Sequence, residues 1–264
     1  MDAFPDPYID IDGHGAEAGT PLLFALMSGY GHFTAMQVRD GRVRGPGFHL
    51  ARLDAATREL FGERLDGDLV RERVRHALGR EALRDASVRV YVYRPQPGDG
   101  PVTLVTVQPP APEPAAAQRL RSVPYQRPAA RIKHLGEFGQ GLHLRRVTAA
   151  GFDEGLLVAS DGTVAEGTIT NVGFVAGDTV VWPNAPALAG TAMLVLRQEL
   201  ERAGVPWREQ AVHLDDLASF DGAFVSNSRG VAAVALVDHV PFPVDAGLVG
   251  TVTGLYAAAP WDVI

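Results

Sequence analysis

Lys133 is the residue whose type alone points to chemistry, because it is the only lysine in the chain. The 24 basic residues are 23 arginines and this lysine. A guanidinium stays protonated and is a poor nucleophile, whereas an ammonium can lose its proton and attack a carbonyl. Its retention in so arginine-rich a chain suggests a nucleophilic role for Lys133, although compositional bias alone also explains a rare lysine.

The other polar patterns have ordinary explanations. The glycine spacing of residues 136–141 (GEFGQG) suits a phosphate loop, but no strand precedes it as in a dinucleotide-binding fold. His134 and Glu137 have a spacing that a metal could use on a helix, yet the neighbouring glycines favour a solvated loop, and no metal is expected. Ser160 lacks the G-x-S-x-G pattern of a nucleophilic serine and fits a turn.

The chain up to residue 108 has the pattern of a small α+β domain. A hairpin is expected around Asp40-Gly41, because apolar and polar residues alternate on both sides of this dipeptide. Helical periodicity predicts helices at residues 48–61 and 68–78. Runs with strand periodicity follow at residues 87–94 and 102–108. The first 30 residues show little periodicity, and we expect loop there.

Residues 109–117 (PPAPEPAAA) contain too much proline for a helix or for sheet pairing. We therefore predict a smaller domain at 1–108, a linker at 109–117 and a larger domain at 118–264. In the larger domain we expect a strand near 120–124, a loop through Lys133 and Gly139, a helix at 141–150, strand pairs at 155–167, 171–183 and 223–238, and helices at 191–203 and 246–258. Strands and helices that mix without strict βαβ alternation predict the α+β class.

Composition excludes several classes of function. The apolar share of 46% and charged share of 21% are ordinary for a globular protein, and a net charge of −7 argues against nucleic-acid or anionic-membrane partners. There is no cysteine, which excludes disulfides and thiolate chemistry. The N-terminus is acidic, unlike a signal peptide, and the apolar run at 22–27 is too short to cross a bilayer. A cytoplasmic location is expected.

Several segments occur in an order that resembles the class IV aminotransferase family. They are IKHLG at 132–136, DEGLLVASDGTVAEGTITNVGFV at 153–175, WPNAPALAGTAM at 182–193 and FVSNSRGVAAV at 224–234, with GHFTAMQVRDGRV and HLARLDAATREL upstream. The specific part is a lysine followed by DG-V-EG---N-. This family, the fold-type IV pyridoxal-phosphate enzymes, contains branched-chain aminotransferases, D-amino-acid aminotransferases and aminodeoxychorismate lyases. The resemblance implies two α+β domains with pyridoxal 5'-phosphate (PLP) at their interface.

The resemblance also implies a catalytic pair. Lys133 aligns with the lysine that forms a Schiff base with the cofactor aldehyde and then moves a proton between substrate and cofactor. Glu166 aligns with the carboxylate that faces the pyridine nitrogen and keeps the ring protonated, so that the ring can accept electrons. Gly167 and Asn171 fit the same motif, and Asn171 is expected to contact the cofactor.

The remaining cofactor contacts implied by the resemblance are with the phosphate. Arg52, in HLARL, aligns with the family's phosphate-binding arginine, whose planar fork suits a dianion. The other implied contacts are the N–H groups of Gly190, Thr191 and Ala192 at the start of a helix, and a later turn with Ser226, Asn227 and Ser228. Ala192 stands where the family usually has a hydroxyl, so Thr191, Ser226 or Asn227 is expected to supply the lost donor.

The substrate side is less defined by the resemblance. Phe138 stands where many members have a tyrosine near the cofactor, which removes a phenol hydroxyl. Arg94 lies where some relatives hold an arginine near the substrate carboxylate. The expected substrate-binding residues are Phe33, Thr34, Arg94, Phe138 and Arg229, and a structural role remains open for each.

Three functions compete. A transaminase acting on an amino acid and a keto acid is the first. An aminodeoxychorismate-type lyase is the second, favoured by the KHL tripeptide at 133–135 and the Phe33-Thr34 pair, although the glycines of 136–141 depart from that subgroup. A non-catalytic binding protein is the third, and retention of Glu166 together with the lysine argues against it. The family implies a homodimer.

Overall fold

The computed structural model describes residues 8–15, 29–80, 83–95, 98–245 and 247–264. These residues form two compact units. The first unit comprises the described residues up to 111, together with 132–136 and 260–264, and the second comprises 112–131 and 137–259. The chain changes unit within the predicted linker, but it returns to the first unit twice, which a single division at 109–117 does not anticipate.

The helices and strands of the described residues mix along the chain, as the α+β prediction requires. In chain order they are β1 (Tyr8–Ile11), β2 (His14–Gly15), β3 (Gly31–Val38), β4 (Arg42–Arg44), α1 (Pro46–Phe61), α2 (Gly67–Arg80), β5 (Ala86–Tyr93), β6 (Val102–Gln108), β7 (Gln118–Pro124), α3 (Phe138–Ala149), β8 (Glu154–Val158), β9 (Val164–Gly167), β10 (Asn171–Ala176), β11 (Thr179–Pro183), α4 (Thr191–Ala203), β12 (Trp207–Gln210), a 3-10 helix (Leu214–Ser219), β13 (Gly222–Asn227), β14 (Gly230–Val237), β15 (Val240–Pro241), α5 (Gly247–Ala258) and β16 (Trp261–Val263).

The first unit is built on an antiparallel sheet with the strand order β2-β1-β6-β5-β3. Alternate residues of β5 are fully buried and pack in one apolar cluster with Leu53 of α1 and Val74 of α2. Burial of apolar side chains on one face of a strand and one stripe of a helix is the main favourable term in this packing. The apolar packing therefore fixes α1 against the sheet, and with it the polar residues that both elements carry.

Local signals explain where α1 begins and ends. The β3–β4 hairpin turns at Asp40-Gly41, whose φ angles of 50° and 71° are those of a type I′ turn. Pro46 opens α1, and Gly62 ends it in the left-handed conformation, with its N–H donating to Arg58 O. These short-range signals set where β3 ends and where α1 begins and ends. The two elements carry the candidate residues Thr34 and Arg52.

The second unit contains a mixed sheet with the order β12-β11-β10-β13-β14-β7-β8-β9, and β15 pairs with β14. Its core is an apolar cluster that includes Phe174 of β10 and Val225 of β13. Gly204 ends α4 in the left-handed conformation. The order of strands brings β9, β10 and β13, which carry Glu166, Asn171 and Ser226, into one continuous sheet.

The structure corrects the sequence predictions at a few elements. Part of the expected N-terminal loop is strand, since β1 pairs with β6; the run at 22–27 and Ala246 lie outside the described residues. The expected loop through Gly139 is also wrong, because α3 begins at Phe138. Gly139 serves close packing instead, as a Cβ there would lie 2.3 Å from the Tyr125 hydroxyl.

No helix of the described residues is long and apolar enough to cross a membrane.

Candidate active site

Lys133 lies on a short segment that pairs with β3 of the first unit. The N–H of Phe33 donates to Lys133 O at 2.8 Å, and the N–H of Leu135 donates to Gly31 O at 2.9 Å. Gly31 makes this close approach possible, since a Cβ there would lie 2.9 Å from Cδ1 of Leu135. The backbone of Lys133 is thus fixed by the strand that carries Phe33.

The amine of Lys133 lies over an aromatic ring. Its Nζ is 4.4 Å from the centroid of Phe33, whose ring stacks on Tyr91 with centroids 5.4 Å apart. Such a contact favours the ammonium form of a lysine. Phe33, expected at the substrate, therefore contacts the candidate nucleophile itself.

Arg52 is the centre of a buried polar cluster in the same unit. It donates from Nη2 to the hydroxyl of Thr34, and that hydroxyl lies 2.7 Å from Nδ1 of His49. Nearby, Nε2 of His32 lies 3.0 Å from the hydroxyl of Thr57. Thr34 and His32 are on β3 and the other three residues are on α1, so three polar contacts join the two elements.

The electrostatics of this cluster leave the charge of Arg52 uncompensated. Within the described ranges, no aspartate or glutamate pairs with Arg52, and its buried Nε has no hydrogen-bond partner. Burial lowers the pKa of Arg52 to about 10. Burial and then the charge of Arg52 lower the pKa of His32 to about 4 and that of His49 well below its ordinary value, so both imidazoles are neutral at pH 7. A buried cation among neutral groups is a site for an anion.

Glu166 is the centre of a second buried cluster, in the other unit. One carboxylate oxygen accepts a hydrogen bond from Nη1 of Arg127 at 3.1 Å, and the other accepts one from the N–H of Leu188 at 3.1 Å. The side chains of Arg127 and Glu166 are 3% and 5% exposed, so this is a fully buried ion pair. The pair holds the carboxylate in one orientation.

Asn171 joins the Glu166 cluster to the start of α4. Its side-chain amide donates to Leu188 O at 2.7 Å. A Cβ on Gly190 would lie 2.0 Å from the Asn171 side-chain oxygen, so only glycine fits at this position. Leu188 therefore bonds to Glu166 through its N–H and to Asn171 through its carbonyl.

The start of α4 contacts Asn171, whose partner in the neighbouring strand is Ser226. Gly190 caps the helix without a side-chain hydrogen bond, and Thr191 and Ala192 are buried. Ser226 is opposite Asn171 in the β10–β13 register, and its buried hydroxyl has no hydrogen-bond partner among the described residues. Backbone N–H groups at a helix start and a spare hydroxyl are donors that suit a phosphate.

The remaining predicted residues have other surroundings. The side-chain oxygen of Asn227 accepts a hydrogen bond from the N–H of Arg229 at 2.9 Å, and Arg229 itself is exposed. Arg94 pairs with Glu63 and donates to Phe61 O at the end of α1. Phe138 is 81% exposed. The structure thus brings Asn227 and Arg94 into local structural contacts, and their predicted roles stay predictions.

Sequence reasoning missed two residues of these clusters and one further buried carboxylate. Arg127 carries no motif and is one of 23 arginines. His49 could have been found, because it precedes Arg52 by three positions on a predicted helix and so shares its face. Glu154 is buried, and its carboxylate accepts hydrogen bonds from the N–H groups of Gly155 at 2.8 Å and Thr168 at 3.0 Å. Burial raises the pKa of Glu154, while these hydrogen bonds oppose the shift.

Comparison with known proteins decides the family. The chain matches the amino-transferase class IV family over residues 31–237. It belongs to that family. The predicted family, the α+β fold and the PLP cofactor are therefore confirmed, and the chain is a PLP-dependent class IV enzyme. A comparison with curated proteins found no match.

Solved structures with the same fold are similar over nearly the whole length of this class IV chain. A hypothetical aminotransferase from Mycobacterium tuberculosis in its PLP-bound form has a TM-score of 0.83 at 23% identity, covering 96% of this chain and 98% of that one. A fold IV-transaminase from Curtobacterium pusillum has a TM-score of 0.82 at 22% identity, covering 96% and 99%. The Escherichia coli branched-chain amino acid aminotransferase has a TM-score of 0.82 at 19% identity, covering 96% and 94%. At these identities the similarity shows the fold.

Proposed function

We propose that this class IV enzyme is a transaminase that moves an amino group between an amino acid and a keto acid, with Lys133 as its catalytic amine. The observation that carries the proposal is the placement of the only lysine, on a segment fixed to β3 by backbone hydrogen bonds, in a chain of this family. A similar fold, that of the Mycobacterium tuberculosis protein, has been solved bound to α-ketoglutarate and PMP. A keto acid of that kind is a reasonable acceptor here.

The residues present fit the cofactor. PLP supplies an aldehyde for an amine, a ring that accepts electrons, and a phosphate dianion. Among the described residues, Arg52 has a buried charge without a carboxylate partner and the Ser226 hydroxyl has no hydrogen-bond partner, so each suits a phosphate. Glu166, held by Arg127 and Leu188, is the group that we assign to the ring nitrogen.

The proposed roles divide the chemistry among a few side chains. Lys133 would hold the cofactor through its amine and, as a free amine, would accept the proton from the substrate Cα and donate it to C4′ of the cofactor. Glu166 holds a proton on the ring nitrogen. We assign phosphate contacts to Arg52 in the first unit, and to Ser226 and the N–H groups of Thr191 and Ala192 in the second.

Reconstitution with PLP tests the role of Lys133 directly. The protein should gain a near-visible absorption band, and borohydride should attach the cofactor permanently to the peptide that contains Lys133. Lys133→Arg keeps the charge but removes the chemistry, and transaminase activity should fall by about 10²–10⁴-fold or more. Attachment to another site, or an active Lys133→Arg variant, would refute the proposal.

Single-turnover reactions separate the two PLP-dependent functions. Conversion of the cofactor to its pyridoxamine form by a D- or L-amino acid supports transamination. Release of pyruvate from aminodeoxychorismate without a keto acid supports the lyase instead. A protein that takes up no PLP at all would support the binding-protein hypothesis.

We also propose a homodimer, as the family resemblance implies. The second unit exposes large apolar side chains that a partner could cover, Phe138 at 81% and Ile169 at 43%. Sedimentation velocity should give twice the mass of the 28.2 kDa chain. A monomer at micromolar concentration would refute this part.

A further inference from the structure

The hydroxyl of Thr34 lies between two buried groups of the first unit. On one side Arg52 donates to it from Nη2, and on the other it lies 2.7 Å from Nδ1 of His49. His49 and Arg52 are three residues apart on α1, while Thr34 comes from β3. The Thr34 hydroxyl on β3 therefore contacts both the guanidinium of Arg52 and the imidazole of His49 on α1.

The donors and acceptors in this chain of contacts can be assigned. A guanidinium only donates hydrogen bonds, so the Thr34 oxygen accepts from Arg52. Among the described residues, Nδ1 of His49 is the acceptor within reach of the single hydroxyl hydrogen, so we assign the hydroxyl as the donor and Nδ1 as the acceptor. His49 is thus the neutral imidazole that carries its proton on Nε2, and its lowered pKa agrees with that form.

We propose that Thr34 and His49 are positioning residues for Arg52, and that the relay from His49 through Thr34 sets the guanidinium in the orientation that binds a phosphate monoester. This inference rests on the proposed function, in which Arg52 binds the cofactor phosphate. Thr34 then acts through Arg52 and does not contact the substrate, in contrast to the role expected from the sequence.

The relay has a physical reason. An arginine side chain has many rotamers, and ordering it on binding a ligand costs free energy. In this structure one Nη is already bonded, while Nε is buried without a partner among the described residues. The relay fixes the plane of the guanidinium and leaves donors for an anion, so the ligand finds it already oriented.

The same sheet offers a matched control. Thr103 on β6 is fully buried, like Thr34, but its hydroxyl has no hydrogen-bond partner among the described residues. Thr103→Val removes a buried hydroxyl without breaking a relay. Thr34→Val removes a hydroxyl of the same size that has two partners. A difference between the two variants therefore reports the relay.

The test measures binding to the cofactor-free protein, without reliance on activity. The probes are pyridoxamine 5'-phosphate and pyridoxamine, which differ only in the phosphate and form no covalent bond with Lys133. Thr34→Val should raise the Kd of the phosphorylated probe about tenfold, with little change for pyridoxamine. Thr34→Ser and Thr103→Val should bind both probes as the unaltered protein does.

Variants of His49 test the other half of the relay. His49→Asn places an amide oxygen near the position of Nδ1 and should keep the affinity for pyridoxamine 5'-phosphate. His49→Leu removes the acceptor and should raise this Kd as Thr34→Val does. In an Arg52→Gln background, Thr34→Val should have no further effect, because the relay then has nothing to orient.

The outcomes separate the inference from the proposed function. If Arg52→Gln weakens binding of the phosphorylated probe but Thr34→Val and His49→Leu do not, the relay is refuted and the proposed function stands. If Arg52→Gln changes neither probe, the assignment of Arg52 fails. Should Thr34→Val not fold, the contrast between His49→Asn and His49→Leu decides, and equal affinities in these two would refute the relay.

Discussion

Arg52 and Arg127 are both buried arginines, one in each unit, and they differ in what balances their charge. Arg127 forms an ion pair with Glu166 at 3.1 Å. Arg52 donates to a threonine hydroxyl, has neutral histidines nearby, and has no carboxylate partner among the described residues. One charge is compensated inside the protein, and the other is left for a ligand.

This difference separates two ways in which a protein uses a buried charge. A paired arginine costs little once its partner is in place, and here it orients a carboxylate. An arginine without a carboxylate costs free energy until an anion arrives, and binding then contributes to the stability of the folded state. The residues of the second unit that we propose for the phosphate, at the start of α4 and at Ser226, are by contrast neutral donors.

The largest expected effect is on the stability of the cofactor-free protein. Glu166→Ala removes the carboxylate of the buried Arg127–Glu166 ion pair, and the free energy of unfolding should fall by about 3–5 kcal/mol. Arg52→Met removes a charge that is already alone, so stability should stay the same or rise. Urea unfolding of both variants measures the contrast, and equal losses would show that Arg52 has a compensating charge after all.

The next effect is on phosphate binding. Arg52→Gln should weaken binding of pyridoxamine 5'-phosphate by about 1.5–3 kcal/mol, a factor of about 10–100 in Kd, because a charge-assisted hydrogen bond is lost. Arg52→Lys keeps the charge without the fork and should be intermediate. Equilibrium dialysis against the phosphorylated and unphosphorylated probes checks this, and an equal loss for both probes would contradict a phosphate contact.

The buried histidines should make the first unit sensitive to acid. The pKa of His32 is lowered from 6.5 to about 4, and that of His49 is lowered too. Between the ordinary histidine pKa of 6.5 and the lowered pKa in the folded protein, the unfolded chain binds protons that the folded protein does not. The free energy of unfolding is therefore highest above pH 6.5 and falls as the pH decreases. The slope should approach about 1.4 kcal/mol per pH unit for each histidine.

Unfolding measured between pH 6.5 and 5 tests the acid sensitivity before most carboxylates titrate. His49→Asn should reduce the slope. The exposed His239 is the matched control, and His239→Asn should leave the slope as it is. An unchanged slope in His49→Asn would show that His49 is not neutral in the folded protein.

The smallest expected effect is at Ser226. Ser226→Ala removes a neutral donor and should raise the Kd of pyridoxamine 5'-phosphate by a factor of about 3–10. The free energy of unfolding without ligand should not fall, because the hydroxyl has no hydrogen-bond partner in the described part of the chain. The exposed Ser160 provides the control variant Ser160→Ala. If Ser226→Ala destabilises the protein and leaves binding unchanged, the hydroxyl is structural.

Elements with strong local signals could be predicted from the sequence. The Asp40-Gly41 turn was predicted from its dipeptide, since few other residues adopt two positive φ angles in succession. The bounds of α4, Thr191–Ala203, also agree with the prediction. What could not be predicted was β1, because its pairing with β6 joins residues far apart in the chain and its own periodicity is weak.

In the candidate site, too, the contacts between residues far apart in the chain could not be predicted from the sequence. The uniqueness of Lys133 is visible in the composition, and family motifs mark Glu166 and Arg52. The Arg127–Glu166 pair spans 39 positions and carries no motif, so only the fold reveals it. Arg94 is a second example, because its pairing with Glu63 joins residues 31 positions apart and no motif marks it.

The return of residues 132–136 to the first unit has a consequence for attempts to divide the protein. A fragment that stops at residue 111 would leave the edge of β3 without the segment that bonds to Gly31 and Phe33. A fragment that starts at residue 112 would carry the amine on a stretch whose hydrogen-bonding partners are missing. We therefore expect neither fragment to fold as its unit does in the intact chain. Co-expression of complementary fragments that include 132–136 should restore the native hydrogen bonds.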